Sequence, residues 1–133
     1  MGWFLDVTPE ILGYVLNEDG SRTYDVRVTF ANLFTDEDNY RYGGYIDGAQ
    51  GVINILAQIV APAGGAIHNF SSSGGISFGD PEEYNGHLIQ YCSFYLSRQG
   101  SNTLTYQVTT APGVDADLGL SMTPTLTEYR NAD

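Results

Sequence analysis

Short runs that alternate between apolar and polar residues dominate the chain. In residues 23–30, Tyr24, Val26, Val28 and Phe30 fall on one face of an extended backbone, with Asp25, Arg27 and Thr29 on the other. A period of two marks a half-buried strand, because successive side chains of a strand point to opposite sides. Residues 103–109 read the same way, with Leu104, Tyr106 and Val108 inward. Leu118, Leu120 and Met122 alternate with Gly119, Ser121 and Thr123. Between residues 88 and 96, Leu88, Gln90, Cys92, Phe94 and Leu96 interleave with Ile89, Tyr91, Ser93 and Tyr95. Both of those faces are largely apolar, which predicts a strand in the interior of its sheet.

Further strands follow from turn chemistry. Residues 11–16 run into Asn17-Glu18-Asp19-Gly20 and then into the Tyr24 strand, the pattern of a β-hairpin with a loop of medium length. In residues 52–60, Ile53, Ile55, Ala57 and Ile59 alternate with Asn54 and Gln58. A short helix over 50–61 is the competing reading; the Ile and Val content and the flanking Gly51 and Pro62 favour a strand. Residues 66–70 and 76–78 are weaker strand candidates on either side of Ser71-Ser72-Ser73-Gly74-Gly75. Short strands at regular spacing, separated by Gly, Asn, Asp and Pro, predict an all-β sandwich in which two sheets bury their inner faces against each other. With 133 residues the chain is one domain, 1–133, with 1–9 and 128–133 as tails.

Composition removes several classes of function. Sixteen acidic residues stand against five arginines and no lysine, a formal net charge of -11. Nucleic acid is excluded as a partner, because phosphate binding draws on Lys and Arg, and anionic membrane surfaces are disfavoured for the same reason. No apolar run approaches the roughly 18 residues of a membrane span, so this segment is not expected to insert directly into a bilayer. Without lysine there is no Schiff-base chemistry, no phosphate-loop lysine and no Lys–Asn isopeptide cross-link. A single cysteine, Cys92, forms no internal disulfide and no multi-thiolate zinc site; in a strand pattern it reads as a small buried hydrophobe.

The most distinctive segment for function is the loop over 33–48. Asp36, Asp38 and Asp47 are candidate oxygen ligands for Ca²⁺, although the spacing of a helix–loop–helix calcium site is absent and an acidic run is also what a solvated loop looks like. Tyr40, Tyr42 and Tyr45 are candidates for an aromatic platform that would bind a sugar ring or a peptide, the plainer reading being that they cover the end of the core. Asn17-Glu18-Asp19-Gly20 and Asp115-Ala116-Asp117 read as turns, and His68 and His87 as surface or hydrogen-bonded structural residues. There is no G-x-S-x-G elbow and no Gly-rich phosphate loop opening a helix, so no catalytic residue is nominated and an enzyme is not expected.

Three phrases carry a resemblance. Tyr24-Asp25-Val26-Arg27-Val28-Thr29-Phe30-Ala31-Asn32 resembles the opening strand of bacterial immunoglobulin-like surface domains. Ile59-Val60-Ala61-Pro62-Ala63-Gly64-Gly65 resembles their mid-domain corner, and residues 96–109 resemble their closing hairpin, with Arg98-Gln99-Gly100 in place of the usual Pro-Gly. From Tyr24 to Thr125, including Leu118-Gly119-Leu120-Ser121-Met122-Thr123-Pro124-Thr125, the chain is similar to the C-terminal region of large, uncharacterised actinobacterial cell-envelope proteins. The resemblance implies an immunoglobulin-like β-sandwich of about seven to eight strands with little helix. It further implies an extracellular or envelope location, with any signal or anchor outside this segment. The partners implied are neighbouring domains of the parent protein or cell-wall components. The expected role is a non-enzymatic spacer or adhesion and assembly module; the alternative is a carbohydrate- or peptidoglycan-binding module using the Tyr-rich loop 33–48. No cofactor is expected beyond the candidate Ca²⁺.

Overall fold

The computed structural model describes residues 5–35, 52–114 and 120–127, the last of these by backbone alone. They form nine strands: β1 (Leu5–Leu16), β2 (Arg22–Asn32), β3 (Val52–Val60), β4 (Ala66–Ser72), β5 (Ser77–Phe78), β6 (Glu82–Tyr84), β7 (His87–Leu96), β8 (Ser101–Thr110) and β9 (Leu120–Thr127). All pairings are antiparallel. One sheet (sheet A) runs β1-β2-β8-β4; the other (sheet B) runs β5-β7-β3-β9, with β6 also on β7. The predicted all-β class holds, and residues 52–60 are a strand rather than the short helix weighed against it.

The inward faces are those the alternation marked. Tyr24, Val26, Val28 and Phe30 of β2 and Leu104, Tyr106 and Val108 of β8 are buried, against Ile53, Ile55, Ala57 and Ile59 of β3 and Cys92, Phe94 and Leu96 of β7. Burial of these side chains is the main favourable term, on the order of 1.5–3 kcal/mol for each large one. Phe30 and Phe94 join the two sheets, their rings 4.9 Å apart and edge to face, the geometry favoured by ring quadrupoles. At the β4 side, Phe70 lies 5.0 Å from Phe78 and 5.8 Å from Tyr106 and closes that end of the core.

Three local features differ from the pattern reading. Strand β1 starts at Leu5, so residues 5–9, expected as part of a tail, pair with β2 from Leu5↔Asn32 to Pro9↔Val28. Proline cannot donate to a ladder, and Pro9 is accommodated because β1 is an edge strand. Strand β6 was not anticipated. It turns into β7 through Asn85 (φ 52°) and Gly86 (φ 80°), so both turn residues are left-handed, as a two-residue type I′ hairpin requires. β5 and β6 also share one edge of β7. The pairing sum moves from Ser77↔Ser93 and Phe78↔Cys92 to Glu82↔Ile89, so they form a single edge strand interrupted at residues 79–81, where Pro81 sits.

Two of the corners that carry the chain between sheets are held by hydrogen bonds at glycine. At residues 61–65, Gly65 N–H donates to Pro62 O at 2.8 Å, and a Cβ on Gly65 would lie 2.7 Å from Thr109 O, so the position is closed to side chains. At residues 97–100, Gln99 is left-handed (φ 58°) and Gly100 N–H donates to Ser97 O at 2.8 Å. Buried Asn32 fastens this second corner. Its backbone N–H donates to Gly100 O (2.8 Å), its Nδ2 to Leu96 O (3.0 Å), and its Oδ1 accepts from Phe34 N–H (2.9 Å).

Candidate functional site

The tyrosines Tyr40, Tyr42 and Tyr45 and the carboxylates Asp36, Asp38 and Asp47 lie outside the described residues, as does Asp115-Ala116-Asp117. Phe34, in the part of the 33–48 loop that is described, is fully buried. Among the described residues, no group of three or more His, Cys, Asp or Glu is placed to hold a metal ion. No helix among them is long and apolar enough to cross a membrane.

The described nucleophiles and bases are kept apart by the pleat. Cys92 is buried, and the loss of hydration pushes its thiol up to about 11. His87 lies on the same strand but at an odd position, so it faces away from the core that Cys92 enters. Its Nδ1 meets Ala61 O at 2.8 Å. His68 is on the other sheet, exposed, with Nε2 3.1 Å from Thr109 Oγ1. The serines of residues 71–73 shape the β4 terminus: Ser73 Oγ donates to Asn102 Oδ1 (3.1 Å) and accepts from Thr103 N–H (2.9 Å). The 17–21 turn is held by Asp19, whose carboxylate accepts from Ser21 N–H (2.9 Å) and Ser21 Oγ (2.5 Å). The Ser21 hydroxyl first, and its N–H second, hold the Asp19 carboxyl below the usual range.

Two surfaces of the described residues carry more than turn chemistry. The first is the free edge of sheet A. β2 is the described partner of β1, and on the far half of β1 Ile11, Leu12, Tyr14, Val15 and Leu16 are all exposed, Val15 and Leu16 by 62% and 64%. Tyr14 stacks near Tyr24 (5.2 Å) under the Arg22 guanidinium (5.1 Å), so part of this patch is pinned.

The second is the outer face of sheet A, where polar side chains join in rows across the strands. Asn17 Nδ2 reaches Thr23 Oγ1 (3.1 Å), Thr23 Oγ1 meets Thr109 Oγ1 (3.0 Å), and Thr109 Oγ1 meets His68. In the next row Gln107 donates to Asp25 (3.0 Å) and accepts from Asn69. A further row holds the exposed Arg27–Glu10 ion pair (3.0 Å). Pattern reading marked Asp25, Arg27 and Thr29 as outward but had no means of finding these rows, since each joins residues far apart in the chain. Tyr91 and Tyr95 of β7 share the outer face of sheet B; burial, then the nearby Glu82 carboxylate, raises the Tyr91 hydroxyl above its usual value. No protein-family model matches the chain, and no curated protein is similar to it.

Proposed function

We propose that the chain is a non-enzymatic, extracellular module of a larger cell-envelope protein, with an immunoglobulin-like sandwich that serves as a spacer and assembly joint. The observation that carries this reading is the β1 edge. A free strand edge exposes unpaired N–H and C=O groups; among the described residues only β2 pairs with β1, and the other side of β1 is flanked by a run of exposed apolar side chains at residues 11–16. Such an edge accepts an additional strand, with main-chain bonds giving affinity and alternate side chains giving specificity. Pro9 blunts the other half of the same edge, which confines pairing to the stretch beyond it. The net charge of -11 sets copies of the module against one another, so the edge is directed to a different partner, a neighbouring domain of the parent protein.

Hydrogen exchange tests the joint. The amides of residues 11–16 gain protection in the intact parent protein relative to this chain alone; equal exchange in the two would remove the argument. Antibody labelling of intact source cells tests the location, and signal that appears only after lysis counts against an envelope protein.

A further inference from the structure

The outer face of sheet A is indented at its centre. Both edge strands of that sheet carry a bulge. In β1 the register shifts between Ile11 and Gly13, leaving Leu12 as the extra residue. In β4 it shifts between His68 and Ser71, where Asn69 adopts φ 59°. A bulge bends its strand and re-aims a side chain. Through Gly13↔Asp25, Asp25↔Gln107 and Gln107↔His68, the two bulges stand at opposite ends of one row. Leu12 and Asn69 are thereby the walls, and Asp25, Gln107 and Thr105 the floor, of an open depression of about 360 Å³. That volume lies within the range of small-molecule sites, roughly 300–1,000 Å³.

We propose that this depression binds a non-anionic saccharide. The floor is preorganised: Asn69 Nδ2 donates to Gln107 Oε1 and Gln107 Nε2 donates to Asp25 Oδ1 at 3.0 Å, so the amide relay fixes which way each group points. The relay uses one oxygen of Asp25 and the amide nitrogen of Asn69. Asp25 Oδ2 and Asn69 Oδ1 make no bond among the described residues, and both residues line the opening, which leaves two acceptors for a ligand. A ligand for such a surface brings several hydroxyl donors at close spacing. Leu12 adds an apolar wall against which the C–H face of a sugar ring packs, and the combination of a few fixed polar groups with apolar surface is that of a ligand site. The charge selects within the class. Arg27, the cation in the adjoining row, is engaged by Glu10, so a uronate or a phosphorylated sugar meets the Asp25 carboxylate with no counter-charge among the described residues that line the depression. The site shares Leu12 with the exposed run of β1, but its polar groups stand on β2, β8 and β4, so the Asp25 and Asn69 variants test it apart from the joint.

Two-dimensional ¹⁵N NMR of the chain titrated with cello-oligosaccharide, chito-oligosaccharide and oligogalacturonate tests the proposal. At least one of the two neutral probes is expected to shift Leu12, Asn69 and the Gln107 side-chain amide, and oligogalacturonate is not. Asp25→Asn keeps the shape of the floor, and Asn69→Gly keeps its left-handed backbone accessible. Each is expected to weaken binding roughly tenfold, the loss of one hydrogen-bond acceptor, charged at Asp25 and neutral at Asn69, while shifts elsewhere in the spectrum stay as in the wild type. Shifts absent from the depression with both neutral probes would overturn the proposal. So would shifts that map to Tyr40, Tyr42 and Tyr45 instead, unchanged affinity in both variants, or equal binding of oligogalacturonate.

Discussion

Asn32 ends a strand of buried hydrophobes and is itself buried, which for an amide is tolerable only if its hydrogen bonds are made. Its side chain satisfies Leu96 O and Phe34 N–H together. Asn32→Ala strands both of those backbone groups, and urea denaturation is expected to register a loss on the order of 3 kcal/mol. Cys92 tests the core in another way. Its thiol ionises at about 11 when folded against an ordinary value of 9.0, so the unfolded chain binds fewer protons between those limits and stability falls as pH rises through that window. At neutral pH the native thiol should resist a disulfide-exchange reagent and react at the rate of unfolding; rapid labelling of the folded protein would place Cys92 outside the core. Asp19 has the opposite sign. Its folded pKa is lowered by Ser21, so its contribution is present above the ordinary carboxylate value of 3.8 and disappears as pH falls through the lowered one. The acid limb of the stability curve should flatten in Asp19→Ala.

Elements were legible in the chain to the degree that they are regular. β2, β3, β7 and β8 alternate cleanly, and their inward residues are the ones that are buried. In β1 the pattern is legible over only half the strand because Pro9 interrupts it, although Leu5 and Val7 already alternate with Asp6 and Thr8. The β6–β7 hairpin did carry a local signal, Asn85-Gly86, the dipeptide that suits a turn with two left-handed residues. It was obscured by the brevity of β6, whose exposed Glu82, Glu83 and Tyr84 bear no inward stripe. Gly86→Ala isolates the backbone contribution, since a Cβ there meets nothing within 4 Å yet must adopt φ 80°. A loss of roughly 1–2 kcal/mol is expected in chemical denaturation; an unchanged midpoint would mean that the turn is not type I′ in solution.

At the scale of the molecule, stability rests on the seam between the sheets. Phe94→Ala removes the ring that meets Phe30 and should cost about 3–5 kcal/mol by denaturant titration. Arg27→Ala breaks the exposed pair with Glu10 and should cost less than about 1 kcal/mol. Similar losses for the two would argue against a core shared by both sheets. The two features on which the proposals rest belong to this scale too. The open edge of β1 depends on which strand is last in the sheet, and the indentation on sheet A depends on two bulges set across from each other over β2 and β8.

The order of residues by itself determined the all-β class, the inward faces of the long strands, the 17–21 turn and the strongly negative net charge. Each of these depends on near neighbours in the chain or on a sum over it: the two-residue alternation, a turn motif, a net charge. Tertiary structure alone decided the strand order, the edge position of β1, the cross-strand rows and the meeting of Leu12 with Asn69 across Asp25 and Gln107. Those depend on pairing between segments as distant as β1 and β8, and alternation says which face is buried but not which strand lies alongside.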